Sequence, residues 1–152
     1  MCVNVSIVPC PNYEPDTVRK ALAAVLEPLG GLDWVKPGMK IAVKANLVAR
    51  MKPETAAATH PALITELCRM LTERGAEVVV GDSPGGPFTA AWVGSIYTGT
   101  GMRAVEAAGA QLNSDYSTCE VSFPEGNTVK SFPYTAWLEK ADAVIDYAKM
   151  PF

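Results

Sequence analysis

Two short polar groups in this chain follow apolar runs. Lys44-Ala-Asn46 closes one run, and a second run empties into Gly81-Asp-Ser-Pro-Gly-Gly86. Side chains two positions apart in an extended segment point to one side. Lys44 and Asn46 can therefore grip the same ligand, the ammonium neutralising a carboxylate or phosphate while the amide orients it. In the second group Gly85 and Gly86 give the backbone freedom to aim N–H groups into an anion-binding nest, and Ser83 adds a hydroxyl. The turn is neither a P-loop nor a dinucleotide fingerprint, because the Lys-Ser/Thr pair is missing and the glycines are wrongly spaced. Asp82 brings a negative charge to the same place, which suits a metal or a hydroxyl-bearing ligand better than a bare phosphate.

The sole histidine, His60, stands in Thr59-His-Pro61. At a helix start the macrodipole disfavours its cationic form, and a neutral imidazole there can serve as base, ligand or hydrogen-bond donor. In the alternative arrangement Thr59 caps the helix and His60 only covers its first turn. Cys10, in Pro9-Cys-Pro11, follows the apolar run at residues 3–8 and is either a nucleophile or ligand or a small buried hydrophobe. The catalytic candidates are thus Lys44, His60 and Asp82, with Asp82 or His60 exchanging a proton or holding a metal. The ligand-binding candidates are Cys10, Lys44, Asn46, Thr59, Ser83, Gly85 and Gly86.

The elements that must position these residues follow from hydrophobic period. Residues 3–8 read as a strand stopped by Pro9 and Pro11, which lack ladder donors. Val18, Leu22, Val25, Leu26 and Leu29 recur on one helical face. Residues 39–43 and 76–80 are short β-rich runs of the fully buried kind. Between them Leu63, Ile64, Leu67 and Leu71 stripe a helix that Gly75 ends. Strand, helix and apolar strand in succession imply a parallel unit.

Residues 49–58 and 81–101 read as loops, the second a lid with one helical turn near residues 90–93. A short helix then runs to Gly109, with Thr100 as one possible cap, and a strand follows near residues 111–113. Alternation over residues 118–123 and 128–132 around Pro124-Glu-Gly-Asn127 signals a hairpin. A short helix over residues 135–140 and a strand over 143–147 complete the reading. The expected fold is an α/β domain with an open, mostly parallel sheet, helices on both faces and a small hairpin insertion near residues 118–132. In such sheets ligands sit outside the carboxyl ends of the strands, where the candidate residues fall.

Composition narrows the classes. The chain has 152 residues, 49% hydrophobic and 19% charged, enough for a single domain with its own core. A formal charge of −3 without a Lys or Arg run argues against nucleic acid and anionic membranes as partners. No apolar run reaches the roughly 20 residues of a membrane span, and the N-terminus lacks signal-peptide features, which gives a cytoplasmic expectation. The four cysteines form no C-x-x-C pair, so no cofactor is expected within the chain.

The blocks Cys10-Pro-Asn-Tyr13, Val43-Lys-Ala-Asn-Leu-Val48, Thr59-His-Pro61, Val80-Gly-Asp-Ser-Pro84 and Thr98-Gly-Thr-Gly101 resemble the domain-of-unknown-function family 362. The resemblance implies an α/β domain that in longer members is followed by a ferredoxin-like segment binding iron–sulfur clusters. Members often carry a Lys-rich block with a later histidine after the last strand, whereas this chain has Ala141-Asp-Ala-Val-Ile-Asp-Tyr-Ala-Lys149 and stops at Phe152. That departure implies either the truncated N-terminal part of a longer protein or a minimal member of the family. The functional expectation is a small-molecule-binding domain of an iron–sulfur-associated, redox-related protein, with an anionic ligand at the strand ends and a cluster in the missing segment. The alternative is a non-catalytic interaction domain that docks a C-terminal ferredoxin-like half, a second copy or another subunit. A third reading is a metal hydrolase built on Asp82 and His60.

Overall fold

A computed structural model describes residues 5–149. Helix α1, Pro15–Leu26, starts on a proline, whose fixed φ and missing N–H suit a first turn. Strand β1, Lys40–Ala45, is followed by a loop, helix α2, Pro61–Thr72, and strand β2, Glu77–Gly81. Helix α3, Ala90–Gly99, and a 3-10 segment, Met102–Ala108, lead to the short strand β3, Gln111–Leu112. Strands β4, Thr118–Ser122, and β5, Ser131–Thr135, form an antiparallel hairpin. A second 3-10 segment, Ala136–Lys140, delivers strand β6, Ala143–Tyr147.

The main sheet is parallel with strand order β3-β2-β1-β6. From β1 the chain steps outward through β2 to β3, then returns to place β6 on the other side of β1. The order therefore reverses between β1 and β6, the position at which open α/β sheets bind ligands.

The two faces of the sheet are filled differently. Ile41, Val43, Ala45, Val78 and Val80 point to one face and join a single core with Val18 of α1, Ile64 and Leu71 of α2 and Ile96 of α3. Across the α1–α2 contact Arg19 pairs with both Glu66 and Glu73, while Arg69 also reaches the buried Glu66. Ala42 and Trp137 are buried on the other face, outside that core. A Cβ added to Gly81 would meet Cζ2 of Trp137 at 2.8 Å and Cβ of Asn113 at 2.9 Å, so glycine is what lets the indole lie on the sheet there. Helical segments thus flank both faces: α1 to α3 on one, the segment carrying Trp137 on the other.

Several sequence expectations are corrected. The expected strand at residues 3–8 is absent over 5–8, where Val5 and Ile7 stand 78% and 90% exposed; residues 3 and 4 lie outside the described residues. Its alternation has no neighbour to pair with and no surface to cover. Within the expected lid, residues 81–101, the one helical turn near residues 90–93 extends into helix α3, whose short apolar stripe Val93, Ile96, Tyr97 is buried despite Gly94 and Gly99 in the helix. Thr100 ends α3 as its C-cap rather than starting the next helix, which begins after Gly101 in the left-handed region and is a 3-10 segment. The second hairpin strand lies three residues later than its alternation suggests.

Candidate functional site

The carboxyl ends of β1, β2 and β6 meet on the face that carries Trp137. Lys44 lies in register between Gly81 of β2 and Asp146 of β6. Its Nζ stands 3.8 Å from Oδ1 of Asp82 and 3.9 Å from Oδ1 of Asp146. These separations are electrostatic contacts, too long for hydrogen bonds. The ammonium lies between two carboxylates and donates no hydrogen bond among the described residues.

Asp82 is a fixed group. It is buried, and its carboxylate accepts from the Leu47 N–H at 2.7 Å and from the Ser83 N–H at 2.8 Å. Those bonds tie the end of β2 to the loop after β1, where Val48 is held at φ 55°, an unusual value for a β-branched residue. Behind Asp82 the Tyr97 phenol is pushed up by burial, with Tyr116 and the Asp82 charge adding to the effect. Asp146, by contrast, is 68% exposed at its side chain and free to meet a ligand.

A second group gathers on the other side of β1. His60, not Thr59, caps α2: its Nδ1 accepts from the Ala62 N–H at 3.2 Å. An Nδ1 that accepts is unprotonated, so Nε2 carries the proton of the neutral ring. The imidazole stacks on Tyr13 with ring centroids 3.5 Å apart and planes within 6°. Burial lowers the His60 pKa, opposed by the Glu54 charge. Thr59 is used otherwise: its Oγ1 accepts from the Asn46 N–H at 3.2 Å and donates to the Tyr147 carbonyl at 3.0 Å, and its own N–H donates to the Asn46 carbonyl at 2.8 Å. A small cavity of about 110 Å³ opens here, lined by Tyr13, Thr59, His60, Tyr147 and Lys149 among others. The Tyr147 phenol is pushed up to about 12, by burial first and by the neighbouring Cys10 second.

The sequence-nominated residues therefore form two clusters. Lys44, Asp82 and Ser83 belong to one, joined by Asp146; Thr59 and His60 belong to the other, with Cys10 beside its Tyr147. The backbone of Asn46, bonded to Thr59, links them. No contact joins His60 to Asp82, and among the described residues no three His, Cys, Asp or Glu side chains converge as a metal site. Cys10 follows irregular chain rather than a strand, and its exposed thiol donates to the Asn12 carbonyl at 3.2 Å. Gly85 and Gly86 serve the Trp92 indole: Nε1 donates to the Gly85 carbonyl at 2.9 Å, and a Cβ on Gly86 would lie 2.8 Å from that nitrogen. Asp146 and Trp137 were not singled out from sequence, since only the pairing of β6 beside β1 and the return of residues 136–140 over Gly81 bring them to the site.

A family model described as a domain of unknown function, DUF362, matches residues 41–151. The chain belongs to this family. The matched span holds β1, α2, β2 and β6, hence both clusters except Tyr13 and Cys10. The thylakoid-associated protein sll1697 of Synechocystis sp. (strain ATCC 27184 / PCC 6803 / Kazusa) is 33% identical over 85 residues, which are 55% of this chain and 26% of that protein. The DUF362 chain thus spans about a quarter of the length of this curated relative. No solved structure matches it. No helix among its described residues is long and apolar enough to cross a membrane.

The iron–sulfur chemistry that the family resemblance implies can be tested against the cysteines. Cys10, Cys68 and Cys119 sit in a loop, in α2 and in β4, and burial pushes the Cys68 thiol up to about 12. Among the described residues they do not gather into a cluster's ligand set.

Proposed function

We propose that this domain binds a small anion bearing a hydroxyl group at the carboxyl edge of its sheet, at the β1/β6 switch point. Lys44 receives the anionic group, the exposed Asp146 accepts the ligand hydroxyl, and Ser83 and Asn46 orient the ligand from either side. Asp82, with two main-chain donors already on it, holds Lys44 rather than moving protons. His60 reaches this ligand only if the ligand extends past Asn46 toward the small cavity, where Nε2 is the nitrogen on offer. The observation that carries the reading is the Lys44 ammonium, fixed between two carboxylates and donating no hydrogen bond among the described residues. A redox setting, with an iron–sulfur cluster in a segment beyond this domain, is the finer form of the proposal and rests on the family resemblance.

The experiment is a thermal-shift screen of hydroxycarboxylates against their deoxy counterparts, run on the wild type and Lys44→Met. The reading expects stabilisation by at least one hydroxycarboxylate, weaker stabilisation by its deoxy form, and none in Lys44→Met. Equal stabilisation of both proteins would overturn it.

A docking role is favoured by a separate observation. Ala143, Ile145 and Tyr147 of β6 are only half-buried, although the adjacent core-facing Ile41, Val43 and Ala45 of β1 are sealed. Parallel strands are ordinarily covered and paired, so β6 is the natural place for further chain or a subunit to add on. Rapid amide exchange along β6 at every protein concentration would speak for an edge that nothing covers.

A further inference from the structure

On the face that carries Trp137, a cleft of about 410 Å³ opens toward the amino ends of β1 and β2. Trp137 is its shared wall with the Lys44 site: the indole covers Gly81, the register neighbour of Lys44, and also lines the cleft. Lys44, Asp82 and Asp146 are not part of the lining, so the two sites are distinct.

The floor is apolar, made by Ala42 and Val79, which are register partners. Gln111 pairs with Val79 and shares its face, so its amide stands at the floor's edge. One row nearer the amino ends, Lys40 and Glu77 are also register partners on this face, and neither is in an ion pair among the described residues. Lys140 is committed to Asp115 at 2.5 Å, closing the far rim. Trp137 is 4% exposed, and its Nε1, itself buried, has no hydrogen-bond partner among the described residues, so its indole N–H resonance reports changes at this wall. The volume lies within the roughly 300–1,000 Å³ of small-molecule pockets, which are likewise apolar with a few converging polar groups.

We propose that this cleft is a second binding site, for an amino-substituted nitrogen heterocycle of the adenine type. The sheet floor and the indole wall select a flat ring. The donors Gln111 and Lys40 call for ring-nitrogen acceptors, and the Glu77 carboxylate calls for an exocyclic amine. A simple aliphatic anion satisfies none of the apolar surfaces, and an uncharged hydrocarbon leaves every donor unmet.

The test is a titration of adenine and adenosine followed at the Trp137 indole N–H resonance, assigned by its loss in Trp137→Phe. A saturable shift of that resonance is expected. Val79→Phe, which fills the floor from a half-buried position, and Gln111→Leu should each weaken binding at least about tenfold, with unchanged thermal transitions confirming that both variants fold. Lys44→Met should bind adenine as the wild type does, which separates this site from the one at the carboxyl edge. An unmoved Trp137 resonance up to the solubility limit overturns the proposal, as does binding that Val79→Phe leaves intact.

Discussion

The two faces of the sheet use the same strands for opposite ends. On one, Ile41, Val43, Val78 and Val80 interlock with three helices and are 0–2% exposed. On the other, where Ala42, Lys44, Val79 and Val144 lie, the Trp137 segment supplies the helical cover, and Val144 remains 51% exposed. Packing consumes the first face; the second keeps a cleft, an undonated ammonium and an unpartnered indole N–H. Packing uses one side of the sheet, and both proposed binding sites lie on the other.

The same substitution on the two faces tests that division most strongly. Val43→Ala should cost about 2–3 kcal/mol through lost burial and the cavity it leaves, whereas Val144→Ala should stay within about 0.5 kcal/mol. Urea unfolding of both variants decides it, and similar costs would break the contrast. Next in size is Asp82→Ala, which strands the Leu47 N–H and removes the carboxylate that steadies Lys44. A loss of about 2 kcal/mol is expected in the same assay.

Gly81→Ala forces the Trp137 indole off the sheet. Overpacking of this kind costs about 1–2 kcal/mol, and the Trp137 emission should shift as the ring moves.

The smallest expected effect concerns His60. Its neutral Nδ1 caps α2 and its pKa in the folded protein is lowered, so the unfolded chain takes up the proton first. The cap's contribution is complete above the unfolded pKa of about 6.5 and is lost as pH falls through the lower folded value. Caps are worth about 0.5–2 kcal/mol. His60→Asn, a cap that does not titrate, should flatten the fall in melting temperature between about pH 7 and pH 5.

Much of this was legible in the sequence because it is local or repetitive. The apolar runs of β1 and β2, the stripe Leu63, Ile64, Leu67, Leu71 and the turn signals fixed a parallel unit, and with it the meeting of Lys44 and Asp82. Residues whose meaning depends on distant chain were not legible. Val5 and Ile7 alternate like a strand yet have no neighbour. Asp146 becomes a partner of Lys44 only once β6 lies beside β1. Trp137 gains its role from a glycine on β2. His60 and Asp82 both stand near strand ends, but His60 is bound to the first turn of α2 and Asp82 to the Leu47 and Ser83 N–H groups, and linear order carries no trace of which partners each takes.

Nuclear magnetic resonance mapping of one hydroxycarboxylate, glycolate, on the uniformly labelled protein tests the carboxyl-edge site most directly. The account predicts saturable shifts at the amides of Leu47, Ser83 and Asp146 and at the Lys44 side chain, with the Trp137 cleft unaffected. Shifts confined to His60, Tyr13 and Tyr147, or no saturable shift near Lys44, would contradict it.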